Sequence, residues 1–263
     1  MTRSNLDSSP LEFRVQEALQ NFHSADSTAG LLDDLLLFHR ALAEKGGHAR
    51  AANNQLLHDA LVILRRRQMF AADLLEMRYW DQVPIDRVAV QLNYAESTIL
   101  RHQHKAVQLL AGTLRQMEGE ARHTRRRLLE ERIGVTSTLP LIGVKEQVAA
   151  LAALVGRAEP PWLLSIDGIG GIGKTALAAA LLRQVEDTSD FDGFAWVSAQ
   201  PSILDAMGAI RARRQPALTQ GALVTGLLEQ LAPEEAAGRL GQPEEALGLL
   251  RIVLKRTPHL VVI

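Results

Sequence analysis

The 263-residue sequence predicts two folds in series: an all-α front half, then an α/β domain built on a parallel sheet. Three observations carry this. The first hundred residues space their apolar side chains at helical intervals and never alternate as a strand does. From residue 141 onward, helical stretches alternate with short apolar runs, the order that gives a parallel sheet with helices on both faces. The third is a glycine-rich loop, Gly168-Ile169-Gly170-Gly171-Ile172-Gly173-Lys174-Thr175. It sits between one such run, 162–167, and a strongly helix-favouring one, 176–182.

The loop fits G-x-x-x-x-G-K-[ST], the phosphate-cradling P-loop. Glycine lets the backbone turn tightly and leaves no side chain in the path of a phosphate. The backbone N–H groups from Gly168 through Ile169, Gly170, Gly171, Ile172 and Gly173 to Ala176, with the helix N-terminus they lead into, form a concave anion site. Lys174 brings an ammonium to the β- and γ-phosphates of a nucleotide, and the Thr175 hydroxyl is placed to ligate Mg²⁺. Asp167, just ahead of the loop, reads as a strand end rather than a metal ligand. The fold class is therefore an α/β P-loop NTPase domain preceded by helices.

Composition bounds the rest. Apolar residues make up 47% of the chain and charged ones 22%, with a formal net charge of −1, as in an ordinary globular protein. The absence of cysteine excludes disulfides and thiolate metal sites and suits a reducing cytoplasm. No run of 18 apolar residues and no apolar leader occurs, so neither a membrane span nor secretion is expected.

In the front half the spacing predicts helices over 11–20, 31–42 and 56–64, the second stopped by Gly46-Gly47. A helix over 71–80, a turn over 81–84, a short helix over 85–92, a turn at Asn93 and a third helix from about 95 to 117 follow. This is helix-turn-helix spacing, with Val88, Ala89, Leu92, Asn93, Tyr94 and Ile99 in its packing and turn positions. The charged stretch 122–132 reads as a helix leaving the first domain. Gly134, Ser137 and Pro140 mark the linker, giving domains 1–134 and 141–263 joined by 135–140. Beyond it, helices are expected over 141–154, 202–214, 218–231 and 244–255. Strands are expected over 162–167, in the second half of 191–199, and over 259–263.

Residues 69–114 resemble the DNA-reading helix-turn-helix of bacterial RNA polymerase sigma factors, in the region that recognises the upstream promoter element. Asn93 stands where that family has glycine, and Gln103 where it has an apolar residue. The resemblance implies that Glu96, Ser97, Arg101 and His102 face the major groove, with Lys105 and His104 nearer phosphates. From Ser97 to Arg127 there are seven Lys/Arg against two Asp/Glu, the charge footprint of phosphate contact. The alternative is a helical bundle that binds a partner protein.

Residues 141–263 resemble the NB-ARC nucleotide-binding domain of signal-transducing ATPases with numerous domains, the class of plant resistance proteins and apoptotic scaffolds. The match rests on Leu141-Ile142-Gly143 before a helix, on the P-loop, and on Phe191-Asp192 followed by Trp196-Val197-Ser198. The resemblance implies that Leu141 and Ile142 line the adenine pocket of bound ATP or ADP. Val144 stands where the family has arginine. The acidic residues that follow the family's third strand are missing, so the domain is expected to be C-terminally incomplete and hydrolysis slow or absent. The expected function is a nucleotide-gated regulator whose helix-turn-helix engages DNA, oligomerising in a full-length form. The alternative is a defence or signalling sensor whose helical bundle recruits a protein. A small-molecule kinase is disfavoured, because no acceptor-site motif is present.

Overall fold

A computed structural model of the chain describes residues 10–24, 31–134, 143–157, 159–188, 190–204, 210–212, 216, 219–237 and 243–263. The linker over 135–140 and the Leu141-Ile142 pair fall outside them. The chain divides into two compact units, Met1–Arg122 and His123–Ile263. The division falls before the expected linker because the end of one long helix buries Leu129 and Ile133 in the second unit's core.

The first unit packs α1 (Leu11–Gln20), α2 (Leu36–Glu44), α3 (Ala49–Arg67) and α4 (Met69–Leu75). A π-helical turn at Glu76–Trp80, α5 (Ile85–Leu92) and the start of α6 (Glu96–Ile133) complete it. Leucine and alanine fill the core, as the low aromatic content requires: Leu19, Leu32, Leu57, Leu61, Leu110 and Leu114 are all buried. Two carboxylates tie its helices together from within. The buried Arg14 guanidinium donates to both carboxylate oxygens of Asp34. The Glu118 carboxylate accepts from the Leu36 and Leu37 N–H groups at 2.9 and 3.1 Å, capping α2 from α6. Gly46 and Gly47, at φ 62° and 85°, end α2 as expected.

Helix α6 corrects one expectation. Instead of a helix ending near Met117 and a second over 122–132, there is one unbroken helix of 38 residues. Gly119 costs a helix interior only about 1 kcal/mol relative to alanine. Burial of Leu114, Glu118, Ala121, Arg125 and Leu129 along one face outweighs it.

In the second unit, α7 (Lys145–Val155), α8 (Lys174–Val185), α9 (Gln220–Leu231), the short α10 (Pro233–Ala236) and α11 (Pro243–Arg256) surround a small sheet. β1 (Gly193–Trp196) and β4 (His259–Val262) pair in parallel, Gly193 opposite His259 and Trp196 opposite Val262. Side chains alternate across it. Phe194, Trp196, Leu260 and Val262 pack with α7, α8 and the end of α6, while Ala195, Val197 and Val261 pack with α9 and α11. Helices thus cover both faces, as the alternation of segments implied.

Two expectations fail. Residues 162–167 form no strand: Trp162 and Leu163 are 74% and 88% exposed, and only Ile166 packs against the core. An apolar run supplies side chains for burial but no ladder partner, and here none of its backbone is paired as a strand. Within the expected helix over 202–214, the described residues form β2 (Ser202–Leu204) and β3 (Ile210–Ala212), an antiparallel pair with Ile203 opposite Arg211, while 205–209 and 213–214 lie outside them. Backbone pairing of these two short segments overrides the local helical reading.

The other edge of β1 is closed by side chains. The Gln230 amide accepts from the Trp196 N–H and donates to the Trp196 carbonyl, both at 2.9 Å, supplying the two hydrogen bonds a neighbouring strand would make. The Arg132 guanidinium donates to the Phe194 carbonyl and, at 2.8 Å, to that of Gln230.

Candidate nucleotide site

The turn from residue 168 to 173 needs glycine. Gly171 and Gly173 adopt φ of 81° and 100°, the left-handed region that side-chain-bearing residues avoid, and Gly168 sits at 157°. A Cβ placed on Gly170, Gly171 or Gly173 would meet nothing within 4 Å, so the loop bounds open space. Gly173 is the left-handed N-cap of α8, and no side chain caps that helix. The Leu177 N–H closes the first turn on the Gly173 carbonyl at 2.8 Å, which leaves the N–H groups ahead of it without intrahelical partners. Their dipoles favour an anion.

Lys174, the first residue of α8, folds back over the loop. Its ammonium donates to the carbonyls of Gly168 at 2.7 Å and Ile169 at 2.9 Å. The charge is thus held at the mouth of the turn. Thr175 is exposed beside it, Ala176 is half-buried, and Ile169 and Ile172 are 75% and 66% exposed. Asp167 accepts a 3.0 Å hydrogen bond from Ser165. Among the described residues no cluster of three metal-ligating side chains occurs. The cradle fits a phosphate chain, and it offers a divalent ion one hydroxyl, that of Thr175.

The second group of sequence-selected residues lies in the first unit. Asn93 takes φ 55° and ψ 46° at the end of α5, the left-handed turn that asparagine tolerates where glycine would be usual. Val88, Ala89 and Ile99 are buried with Leu74 between α4, α5 and α6. Glu96, Ser97, Arg101 and Lys105 are exposed on the first turns of α6. His102 is half-buried, its ring 5.4 Å from Phe70 and 5.6 Å from Tyr94. Gln103 has a reason to be polar: it accepts from Arg78 at 3.0 Å and donates to the Tyr79 hydroxyl at 2.9 Å. Burial raises the Tyr79 phenol above its ordinary value, so it stays neutral.

Sequence reasoning missed the side chains that hold the second unit together. Arg125, Arg126, Glu130 and Arg132 fall in the stretch read only as a charged helix leaving the first domain. Yet Arg125 is buried, with its guanidinium 4.4 Å over the Phe194 ring. The available signal was the pair Leu129 and Ile133, four residues apart, which marks an apolar stripe.

Residues 144–214 match the NB-ARC domain. NB-ARC domains bind ATP or ADP in general. Among curated proteins, the putative inactive disease susceptibility protein LOV1 of Arabidopsis thaliana is 35% identical over 81 residues, 31% of this chain and 11% of its own length. The disease resistance RPP8-like protein 3 of the same plant is 39% identical over 62 residues, 24% of this chain and 7% of its own length. The chain therefore aligns with about a tenth of these relatives. No solved structure matches. No helix among the described residues is long and apolar enough to cross a membrane.

Proposed function

We propose that the chain is a nucleotide-dependent regulator: its NB-ARC segment takes ATP or ADP at the 168–175 loop, and its first unit delivers the output. One observation carries the nucleotide reading. The loop bounds open space at Gly170, Gly171 and Gly173, with the Lys174 ammonium at its mouth. Backbone N–H groups from 170 to 176 hold the β-phosphate, and Lys174 leaves its loop carbonyls to meet the β- and γ-oxygens. Mg²⁺, when bound with the nucleotide, neutralises phosphate charge, and Thr175 supplies its hydroxyl to it. Replacing Lys174 with Ala in the whole chain should abolish binding of a fluorescent ATP analogue. Equal binding by parent and variant refutes the reading.

For the output, α5, the Asn93 turn and the start of α6 engage duplex DNA. The supporting observation is that α6 exposes Ser97, Arg101, His104, Lys105 and Gln108, with no carboxylate between Ser97 and Met117. Changing Arg101 and Lys105 together to Ala should weaken duplex binding at about 50 mM salt at least tenfold. A second reading, a bundle that recruits a protein, draws support from the exposure of Met69, Val90 and Leu100. Loss of a partner protein on Val90→Asp, with DNA ignored by the parent, would favour it. In either case nucleotide acts by differential affinity for two states of the chain.

A further inference from the structure

The last turns of α6, residues 123–133, lie outside the stretch that matches the NB-ARC domain, 144–214, yet they belong to the second compact unit. Their contacts converge on two elements. The first is the C-terminal end of α8. Arg183, in its last turn, donates to both carboxylate oxygens of Glu130 at 2.6 and 2.7 Å. Arg126 pairs with the buried Glu186 and, at 3.1 Å, with Asp187, both just past the helix. The second is the segment entering β1. Arg125 donates to the Phe191 carbonyl at 2.7 Å and covers the Phe194 ring, and Arg132 donates to the Phe194 carbonyl. Leu129 and Ile133 sit between these polar contacts, 1% and 2% exposed, packed in one cluster with Leu181, Leu182 and Val185 of α8.

Helix α8 is 12 residues long, about 18 Å at 1.5 Å per residue, and its other end is the phosphate cradle. A single helix of this length moves as a rigid body. Whatever holds residues 183–187 therefore also sets where the N–H groups of Lys174 and Thr175 point. A cradle is effective only if its donors are held before the anion arrives.

We propose that residues 123–133 form a strap that positions α8, with Glu130 and Arg126 as positioning residues for the phosphate cradle, so that docking of the strap and binding of nucleotide reinforce each other. This rests on the nucleotide reading of the loop. By linkage, a loosened strap weakens nucleotide binding, and bound nucleotide tightens the strap by the same factor. The Glu130 carboxyl, held below its ordinary range first by its hydrogen bonds from Arg183, marks the pair as favourable in the docked arrangement.

The test uses the whole chain and ADP with Mg²⁺. Glu130→Arg, which sets two guanidinium groups against each other, should raise the ADP dissociation constant about tenfold, and so should Arg183→Glu. The exchange Glu130→Arg with Arg183→Glu should restore affinity to within about twofold, a rescue that a general loss of folding would not give. In the parent, ADP should also slow amide exchange at Leu129 and Ile133. Unchanged affinity in both single variants, or failure of the double exchange to rescue, overturns the strap. A parent that binds no ADP overturns the nucleotide reading itself, and the strap with it.

Discussion

Gln230 replaces a strand, and its removal has a calculable effect. In Gln230→Ala the Trp196 N–H loses its acceptor and the Trp196 carbonyl its donor, both at 2.9 Å in the parent, on a residue only 6% exposed. An orphaned buried polar group costs about 1–3 kcal/mol, which gives roughly 2–6 kcal/mol for two. Gln230 is itself half-buried, so the shortened side chain admits water and relieves part of this. The expected loss is therefore at the low end, about 2–3 kcal/mol. Amide exchange at the Trp196 N–H, followed by NMR, should speed up about 30- to 150-fold, because that group opens with β1. Gln230→Glu is the sharper control. It keeps an acceptor for the N–H but turns an oxygen toward the carbonyl, and should fall between the parent and Ala. Exchange at Trp196 within about twofold of the parent in the Ala variant would refute the idea that this side chain completes the sheet edge.

Other outcomes follow from the same reasoning. Glu118→Ala leaves the Leu36 and Leu37 N–H groups and the Arg122 guanidinium without their carboxylate, and should destabilise α2 by about 3 kcal/mol, measured by amide exchange along that helix. Gly193→Ala places a Cβ 2.8 Å from His259 Nδ1 and 3.2 Å from Leu231, which should cost about 1–3 kcal/mol and be partly recovered when His259 is also changed to Ala. His259 should make the second unit acid-sensitive. Thr257 donates to Asp192, so the His259 Nε2 proton goes to Thr257 Oγ or the Val253 carbonyl, and Nδ1 faces Gly193 with no partner among the described residues. Burial, the larger effect, holds the imidazole below its ordinary 6.5, against the attraction of Asp192 and with a small further push from Arg256. The unfolded chain therefore takes up the proton first, and the His259 contribution, complete above pH 6.5, is lost as pH falls through the folded value. In urea titrations the parent should lose stability below pH 6.5, and His259→Ala should flatten that limb.

Much of this was legible in the residues. Gly46-Gly47, Asn93 and Gly156 end helices where local chemistry says they should. Asn93 does so in the left-handed conformation, whereas the helix expected from 218 starts at Gln220, capped by Thr219, which accepts from the Ala222 N–H at 3.1 Å. The loop at 168–175 could be read because its glycines answer to backbone geometry alone. What stayed hidden depends on partners distant in sequence. Whether 162–167 pairs as a strand is decided by the neighbouring backbone, not by its own leucines. The same holds for 202–204 and 210–212, whose antiparallel pairing no local pattern announces. The roles of Arg125 and Arg132 stayed hidden because a guanidinium shows its use only once Phe191, Phe194 and Gln230, from 62 to 98 residues away, lie beneath it. Glu118 likewise gave no sign that it would cap a helix 82 residues earlier.

The central claim is that the 168–175 turn and the first turn of α8 grip a diphosphate through backbone N–H groups. Amide chemical shifts of the whole chain, recorded as ADP and Mg²⁺ are added, test it most directly. The largest changes should fall on Gly170, Gly171, Gly173, Lys174 and Thr175, and they should vanish in Lys174→Ala. Shifts centred anywhere else, or equal shifts in parent and variant, would contradict it.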